Sequence, residues 1–326
     1  MNKVFITGAT GLLGSFIAKK FLDNGYQVTA LKRQHSDLSL LSGYDQKIDW
    51  IIGDVLDNAA LEKGISEAEI VVHAAAIVSF NPRDKEQMFR INVEGTSSMV
   101  NLSVKLKTPR FCYISSIAAI GRNEGTDIID ENTKWKDSEL NSNYSISKYQ
   151  AELEVWRGME EGLNAVIVNP STILGPGDWN KSSTVIFKYI HRGLSIYPNG
   201  TISLVDVRDV TDFAYALIHS NVNERFIINN LAVDYKDFFT KIAIRFNKRP
   251  PRFRTTNLIN EIAWRAEHLL NILFNHDPMI TKEIAKLSRL NAVYLNEKVI
   301  LQTGLQFRNM HSTIEWCCKE FLHKYK

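Results

Sequence analysis

The sequence predicts an α/β protein, with a doubly wound parallel sheet followed by a smaller, mostly helical C-terminal lobe. Strand-like and helix-like segments alternate from the N-terminus to about Pro170. The first strand runs into a glycine-rich turn and then into a helical pattern. After Pro170 the alternation loosens, and helical patterns dominate from Leu231 onward. Repeated alternation of this kind indicates a parallel sheet with helices on both faces.

The first βαβ unit occupies about thirty residues. Its first strand is the β-rich run Val4 to Thr7, which meets the glycine turn at residues 8–14. Apolar residues then recur at helical spacing until Asn24-Gly25, a pair typical of a helix C-terminus. The run Gln27 to Leu31 supplies the second strand, which completes the unit.

The remaining elements follow from the same patterns. Further strands are predicted at Asp49 to Ile52, Ile70 to His73, Phe111 to Ile114, Ala165 to Val168, Ser203 to Val207 and Phe226 to Ile228. Helices are predicted at Asn58 to Gly64, Glu86 to Leu106, Tyr144 to Glu161, Thr184 to Arg192, Tyr235 to Phe246, Thr256 to Asn275, Thr281 to Leu290 and Ser312 to His323. We therefore predict a sheet domain from residues 1–170 and about 203–230, and a lobe from about 171–202 and 231–326.

Bulk properties narrow the protein class. A formal net charge of +3 over 326 residues gives no general affinity for nucleic acid. The three cysteines form no CxxC pair, and the eight histidines show no ligand spacing, so no metal is predicted. No apolar run is long enough to span a membrane, and a strand pattern begins within three residues of Met1. These features predict a soluble cytoplasmic protein.

The glycine turn predicts a dinucleotide-binding Rossmann site. Three glycines permit a left-handed turn, close approach of a pyrophosphate and tight helix–strand packing. The helix N-terminus behind them offers unpaired N–H groups to phosphate. The spacing is GxxGxxG, and an ordinary glycine-rich turn is the alternative. The predicted cofactor contacts here are Gly8, Thr10, Gly11, Leu12, Leu13 and Gly14.

The end of the second strand indicates which nicotinamide cofactor binds. An acidic residue there would hold the ribose 2′-hydroxyl of NAD, but this strand ends in Lys32-Arg33. Two cations favour the 2′-phosphate of NADPH, and Arg33 can bind it through a bidentate fork. The alternatives are NAD as cofactor and a purely solvated role for the two cations.

Two clusters carry candidate chemistry. Tyr144 and Lys148 are four residues apart and share a helix face, where the ammonium would lower the pKa of the phenol. Such a pair also arises by chance, because the chain has 11 tyrosines. Ser115-Ser116 follows a strand, where a hydroxyl could polarise a substrate carbonyl or simply cap a turn.

The sequence as a whole resembles the extended short-chain dehydrogenase/reductase family, also called the NAD-dependent epimerase/dehydratase family. The resemblance covers roughly residues 1–230. The motifs that carry it, in order, are Thr7 to Gly14, Gly53 to Val55, His73 to Ala76, Asn92 to Thr96, Tyr113 to Ser116, Tyr144 to Lys148, Asn169-Pro170 and Val205 to Val210. Within the family the chain is most similar to the dihydroflavonol-reductase-like branch, which reduces ketones or aldehydes with NADPH.

The resemblance implies roles for individual residues. Tyr144 is the catalytic acid, Lys148 lowers its pKa and binds the nicotinamide ribose, and Ser116 orients the substrate carbonyl. Further expected cofactor contacts are Asp54 and Val55 near the adenine, Ala74, Ala75 and Ala76 along the cofactor, Ser115, and Pro170 with Ser171 near the nicotinamide amide. Asn92 is expected to support the active-site helix and a proton path, and is counted with the cofactor-binding residues.

We therefore predict an NADPH-dependent reductase of a ketone or aldehyde. The first alternative is a nucleotide-sugar epimerase, and the second is a non-catalytic nucleotide sensor. A dehydratase is disfavoured because Ile117-Ala118-Ala119 replaces the Asp-Glu pair of that subgroup. The expected partner is a small carbonyl compound or nucleotide sugar, and the resemblance implies a homodimer.

Three further features have a structural interpretation as well as a functional one. The basic segment Lys248 to Arg254 could meet an anionic surface, but a solvated loop is preferred. Trp135 and Trp179 could line a substrate pocket or anchor loops. His73 is expected to be a packed, hydrogen-bonded residue rather than a proton carrier.

Overall fold

The computed structural model of this protein describes residues 2–121, 128–256, 264–265, 283 and 291–325. In chain order its strands are β1 (Lys3–Thr7), β2 (Gln27–Lys32), β3 (Ile48–Ile52), β4 (Ile70–His73), β5 (Arg110–Ile114), β6 (Ile128–Ile129), β7 (Ala165–Pro170), β8 (Thr172–Leu174), β9 (Ile196–Tyr197), β10 (Thr201–Asp206), β11 (Arg225–Ile228), β12 (Leu231–Asp234), β13 (Phe253–Arg254) and β14 (Val293–Tyr294).

The described part of the chain also contains a series of α-helices. They are α1 (Leu12–Asp23), α2 (Asn58–Ile65), α3 (Lys85–Phe89), α4 (Gly95–Lys105), α5 (Asn143–Glu160), α6 (Val185–His191), α7 (Val207–Ile218), α8 (Tyr235–Arg245), α9 (Glu297–Thr303) and α10 (Met310–Lys324). A π-helical turn, Arg90–Glu94, joins α3 to α4. Within these residues, no helix combines the length and the apolar character that a membrane crossing needs.

A seven-stranded sheet of order β11-β7-β5-β4-β1-β2-β3 forms the centre of the molecule. All neighbouring strands in it run parallel. One apolar layer packs against α1 and α7, and the other packs against α2, α4 and α5. The predicted doubly wound sheet is therefore confirmed. The strand order reverses between β1 and β4, and such a switch point opens a crevice at the carboxyl ends of the strands.

The second lobe contains a three-stranded sheet, β12-β10-β8, together with α6, α8 and α10. Its core is aromatic: Trp179 is 1% exposed and meets Phe187 and Phe321 edge-on. Trp179 thus anchors the lobe and does not line a pocket. The basic segment Lys248–Arg254 is exposed at the surface apart from Pro251.

The structure differs from the sequence prediction around residue 205. The prediction assigned about 203–230 to the sheet domain, but β10 pairs with β8 and β12 in the smaller sheet. Helix α7 was not predicted, and it leads the chain from β10 back to β11 in the large sheet. Asp206 caps this helix by accepting a hydrogen bond from the Arg208 backbone N–H at 2.8 Å. Predicted helices at Thr256–Asn275 and Thr281–Leu290 lie outside the described residues, apart from 264–265 and 283.

Candidate active site

The glycine turn is closed by contacts that only glycine permits. Gly8 adopts φ +77°, and a Cβ there would lie 2.6 Å from the backbone of Ala74. A Cβ on Gly14 would lie 2.0 Å from the carbonyl oxygen of Gly8. The Gly11 backbone N–H donates to that same oxygen at 3.0 Å. The turn therefore leaves bare backbone at the N-terminus of α1, beside the β1–β4 switch point, as a phosphate site requires.

The residues predicted to surround the adenine lie at the ends of β2 and β3. Lys32 is half-buried with its ammonium 5.2 Å from the centre of the Trp50 ring, whereas Arg33 is exposed. The Asp54 carboxylate accepts a hydrogen bond from the Leu56 N–H at 2.8 Å and is otherwise solvated. Val55 is buried and packs under Gly95. Among the described residues no side chain binds the Arg33 guanidinium, which leaves it available to an anionic ligand.

The side chain of Asn92 hydrogen-bonds to the backbone of the segment that follows β4. Its Oδ1 accepts from the Ile77 N–H at 2.8 Å, and its Nδ2 donates to the Ile77 carbonyl at 2.9 Å and to Ser147 Oγ at 3.0 Å. Both amide protons are thereby used, so Asn92 supports the backbone after Ala74, Ala75 and Ala76 and is not placed as a direct cofactor ligand. This arrangement agrees with the structural role expected for Asn92, and its place among the cofactor-binding residues stays a prediction.

Ser116 and Tyr144 meet across the end of β5. The Ser116 hydroxyl lies close to Tyr144 and accepts from the Ala118 N–H at 3.1 Å. Burial raises the pKa of Tyr144, and the nearby Ser116 hydroxyl opposes that rise. The sequence predicted the reverse direction, because it expected the neighbouring ammonium to dominate. The phenol is therefore held in its protonated form, beside the half-buried ring of Phe80 at a centroid distance of 6.0 Å.

Lys148 lies one helical turn from Tyr144 and is 1% exposed. Its Nζ donates to the Tyr113 hydroxyl at 2.7 Å and to the Ile114 carbonyl at 2.9 Å. Burial lowers the pKa of Lys148 to about 7, and the carboxylate of Glu152 opposes the shift. An ammonium has three donors, so one remains for Tyr144 or a cofactor hydroxyl.

Ser115 does not face the site. Its buried hydroxyl donates to Glu152 Oε2 at 2.7 Å, so the structure brings Ser116 and not Ser115 to Tyr144. The two side chains separate because successive residues at a strand end point to opposite sides, and cofactor binding by Ser115 stays a prediction.

Glu152 is the main residue that the sequence analysis missed. It is 2% exposed and, besides Ser115, accepts from Asn169 Nδ2 at 2.9 Å and from Arg225 Nη1 at 3.2 Å. Arg225 also donates to the Thr133 carbonyl at 3.0 Å, which ties the loop after β6 to the sheet. The available signal was its position, since Tyr144, Lys148 and Glu152 form an i, i+4, i+8 row on α5.

Replacement of Glu152 by Ala should lower the free energy of unfolding by about 3 kcal/mol, because it leaves the Arg225 charge without its buried carboxylate. Urea denaturation measures this loss. The control is Glu160→Ala on the exposed face of the same helix, for which a change below about 0.5 kcal/mol is expected. Equal losses in the two variants would contradict the role assigned to the buried pair.

The end of β7 supplies buried polar atoms beside the switch point. Among the groups that the structure describes, Asn169 Oδ1 and Ser171 Oγ are buried without a hydrogen-bond partner. Asn169 Nδ2 donates to the Ser116 carbonyl at 2.9 Å, which places this strand end next to the β5 end. Pro170 lies between Asn169 and Ser171 and is buried. Orphaned buried acceptors and donors of this kind fit a polar ligand group.

Of residues 122–143, which lie between β5 and Tyr144 on α5, the structure describes those from 128 onward. In that part Trp135 stacks on Tyr149 at a centroid distance of 4.2 Å and an interplanar angle of 5°. A Cβ on Gly121, whose φ is +84°, would lie 3.0 Å from the Trp135 ring. Trp135 therefore fixes this loop against α5.

Comparison with known proteins identifies a matching family model and relatives that are named as reductases. The family model described as "NAD dependent epimerase/dehydratase family" matches residues 4–229. A protein of Synechocystis sp. named as a dihydroflavonol 4-reductase is 30% identical over 92% of this chain and 89% of its own length. Cinnamoyl-CoA reductase 1 of Oryza sativa subsp. japonica is 30% identical over 68% of this chain and 69% of its own.

Solved structures share the fold over the whole chain. The crystal structure of gox2253 is 26% identical with a TM-score of 0.83, and covers 99% of both chains. The UDP-glucose 4-epimerase of Thermotoga maritima, solved with UDP-glucose, is 17% identical with a TM-score of 0.80, and covers 99% of this chain and 100% of its own. At that identity the second likeness concerns the fold alone.

Proposed function

Since the chain belongs to the NAD dependent epimerase/dehydratase family, we propose that it is an NADPH-dependent oxidoreductase that reduces a ketone or aldehyde to an alcohol. The observation that carries the proposal is that Ser116 lies close to protonated Tyr144 at the end of β5, with buried Lys148 one helical turn from Tyr144 on α5. The relatives named as dihydroflavonol 4-reductase and cinnamoyl-CoA reductase support reduction over epimerisation.

The residues present fit a nicotinamide dinucleotide. The glycine turn is a cradle that a single Cβ would fill, which suits a pyrophosphate in contact with the backbone. Buried Ser171 Oγ and Asn169 Oδ1 lack partners among the described groups and suit the polar amide end. Arg33, exposed at the end of β2 with Lys32 beside it, would hold the 2′-phosphate of NADPH.

The proposed mechanism assigns one task to each side chain. When bound, the cofactor supplies a hydride to the carbonyl carbon. Ser116 donates a hydrogen bond to the carbonyl oxygen and stabilises the negative charge that develops there. Tyr144 gives its Oη proton to that oxygen, and Lys148 stabilises the phenolate that remains. The raised pKa of Tyr144 suits this direction, because a proton donor must carry its proton before the reaction.

Arg33 is expected to determine cofactor preference. The change Arg33→Ser should weaken NADPH binding by about 10- to 100-fold, because it removes a charged hydrogen-bonding partner of phosphate. NADH binding should change less than threefold. Dissociation constants for both cofactors, measured by nucleotide fluorescence, test this preference, with the exposed cation Arg249→Ser as control. Equal losses for NADPH and NADH would refute a 2′-phosphate contact.

The function itself is tested with purified protein, NADPH and a panel of ketones, aldehydes and nucleotide sugars. Loss of NADPH absorbance together with alcohol formation supports the reductase. Formation of a sugar epimer without net NADPH consumption, on cofactor that stays bound through purification, would establish the epimerase instead. Stoichiometric NADPH binding without turnover of any member of the panel would favour a nucleotide sensor.

A further inference from the structure

We propose that Tyr113 is a positioning residue for Lys148, holding its ammonium and thereby setting the pH range in which that lysine carries charge. The consequence for catalysis rests on the function proposed above, while the contact between the two side chains does not. Tyr113 lies on β5, three residues before Ser116, and the family motif that contains it gave it no role.

The geometry joins the two side chains directly. Lys148 Nζ lies 2.7 Å from the Tyr113 hydroxyl oxygen and 4.3 Å from the centre of its ring. Tyr113 is 0% exposed and Lys148 is 1% exposed, so water does not compete for the contact. The other acceptor for this ammonium in the described part of the chain is the Ile114 carbonyl. Among the described side chains, the Tyr113 phenol therefore supplies the one oxygen that holds Nζ.

The Tyr113 ring is itself fixed from the other side. It stacks on the ring of His73 at a centroid distance of 5.5 Å, and the side chain of Thr96 lies close to its hydroxyl. Thr96 Oγ1 donates to the Asn92 carbonyl at 2.6 Å and lies 2.9 Å from His73 Nε2. Since the single hydroxyl proton is used, Nε2 must donate to Thr96.

The tautomer of His73 extends this hydrogen-bonded row to the glycine turn. With the proton on Nε2, His73 Nδ1 is an acceptor, and Thr7 Oγ1 donates to it at 2.7 Å. Burial lowers the pKa of His73 to about 3, so the ring stays neutral. Hydrogen bonds join Thr7 to His73, ring stacking joins His73 to Tyr113, and Tyr113 binds Lys148, so these contacts connect the residue before Gly8 to the active-site helix.

The charges that face Lys148 define its titration. On its own helix these are Tyr144 and the carboxylate of Glu152, from β5 Tyr113, and from β4 His73. His73 is neutral, and burial raises the pKa of Tyr113 well above its ordinary value, so that phenol is neutral as well. Among the described residues, Glu152 opposes the lowering of the Lys148 pKa, and the Tyr113 oxygen is the nearest acceptor that favours the ammonium.

Removing that acceptor should lower the pKa of Lys148. The change Tyr113→Phe keeps the ring on His73 but leaves a buried ammonium short of one hydrogen bond, which disfavours the charged form. The pKa of Lys148, already lowered to about 7, should fall by about a further unit. As the pH rises, reduction that needs charged Lys148 should therefore decline at a lower pH in the variant than in the native protein.

The direct experiment follows the ¹³Cε signal of Lys148 against pH in lysine-labelled protein without added cofactor, assigned by its absence in Lys148→Arg. The midpoint is expected near 7 in the native protein and about one unit lower in Tyr113→Phe. The control is Tyr26→Phe, which removes a phenol hydrogen bond to His219 at the opposite end of the sheet and should leave the midpoint unchanged. Circular dichroism and Tm establish that each variant is folded.

The pH profile of kcat for NADPH-dependent reduction provides the second readout, and its basic limb should move to lower pH in Tyr113→Phe. An unchanged ¹³Cε midpoint in folded Tyr113→Phe would overturn the inference, even if the protein proves to be a reductase. A shifted midpoint in a protein that reduces no carbonyl would support the positioning role and reject the proposed function. A lower kcat with unshifted limbs would also overturn it, because a purely structural loss moves no pKa.

Discussion

Replacing Tyr144 by Phe is expected to lower kcat for carbonyl reduction by about 10²- to 10⁴-fold, because it removes the only proton donor assigned to the substrate oxygen. The phenyl ring keeps its edge contact with Phe80, so the NADPH dissociation constant should stay within about threefold of the native value. Steady-state kinetics and fluorescence titration measure the two quantities separately. The split between turnover and binding distinguishes loss of a proton donor from damage to the site.

The control lies five residues along the same helix. Tyr149→Phe removes the same hydroxyl from a ring that stacks on Trp135, and we expect native kcat. A Tyr144→Phe variant that retains native turnover would reject the proposed mechanism. A variant that loses NADPH binding and turnover together would show that Tyr144 acts through the cofactor and not on the carbonyl.

Gly14→Ala is expected to weaken NADPH binding by at least about 100-fold, equivalent to about 2.7 kcal/mol. The added Cβ would lie 2.0 Å from the Gly8 carbonyl oxygen, so the turn and α1 must separate. That oxygen also accepts the Gly11 N–H, and the loss of packing should lower Tm by several degrees. Fluorescence titration and thermal denaturation measure both effects.

Gly11→Ala separates the phosphate site from the fold. Its Cβ would lie 3.4 Å from the Gly8 carbonyl oxygen, an ordinary contact, and Gly11 has an extended backbone with φ of −83°. The Tm without cofactor should therefore stay close to the native value, while NADPH binding weakens because a methyl group occupies the phosphate surface. Native NADPH affinity in Gly14→Ala would mean that the turn is not the phosphate site.

Much of the large sheet was predictable because its strands are short apolar runs, whereas the segments between them carry apolar residues at helical spacing. The run at Ile70–His73 matches β4 residue for residue. Helix α7 was missed because Val205 to Val210 reads as a β-rich run, and only the Asp206 cap and the burial of Val207, Val210 and Phe213 turn it helical. Strand β12 escaped prediction because it is a partly exposed strand that exists through pairing with β10.

The candidate site shows the same division. The spacing of Tyr144 and Lys148 predicts a shared helix face, and both residues do lie on α5. The direction of the Tyr144 pKa shift could not be predicted, because burial outweighs any neighbouring charge and burial depends on elements distant in sequence. Glu152 belongs to none of the sequence motifs, yet its carboxylate accepts hydrogen bonds from Ser115, Asn169 and Arg225. These three residues come from three different strands or strand ends.

Local periodicity and glycine spacing by themselves determined the doubly wound sheet and the glycine turn before α1, because each βαβ unit forms within about thirty residues of chain. Tertiary structure alone decided that Ser116 meets Tyr144 while Ser115 turns to Glu152, and that Tyr113 holds Lys148. The physical reason is that a buried polar group must find a partner among whichever groups the fold brings within about 3 Å, and those groups come from separate strands.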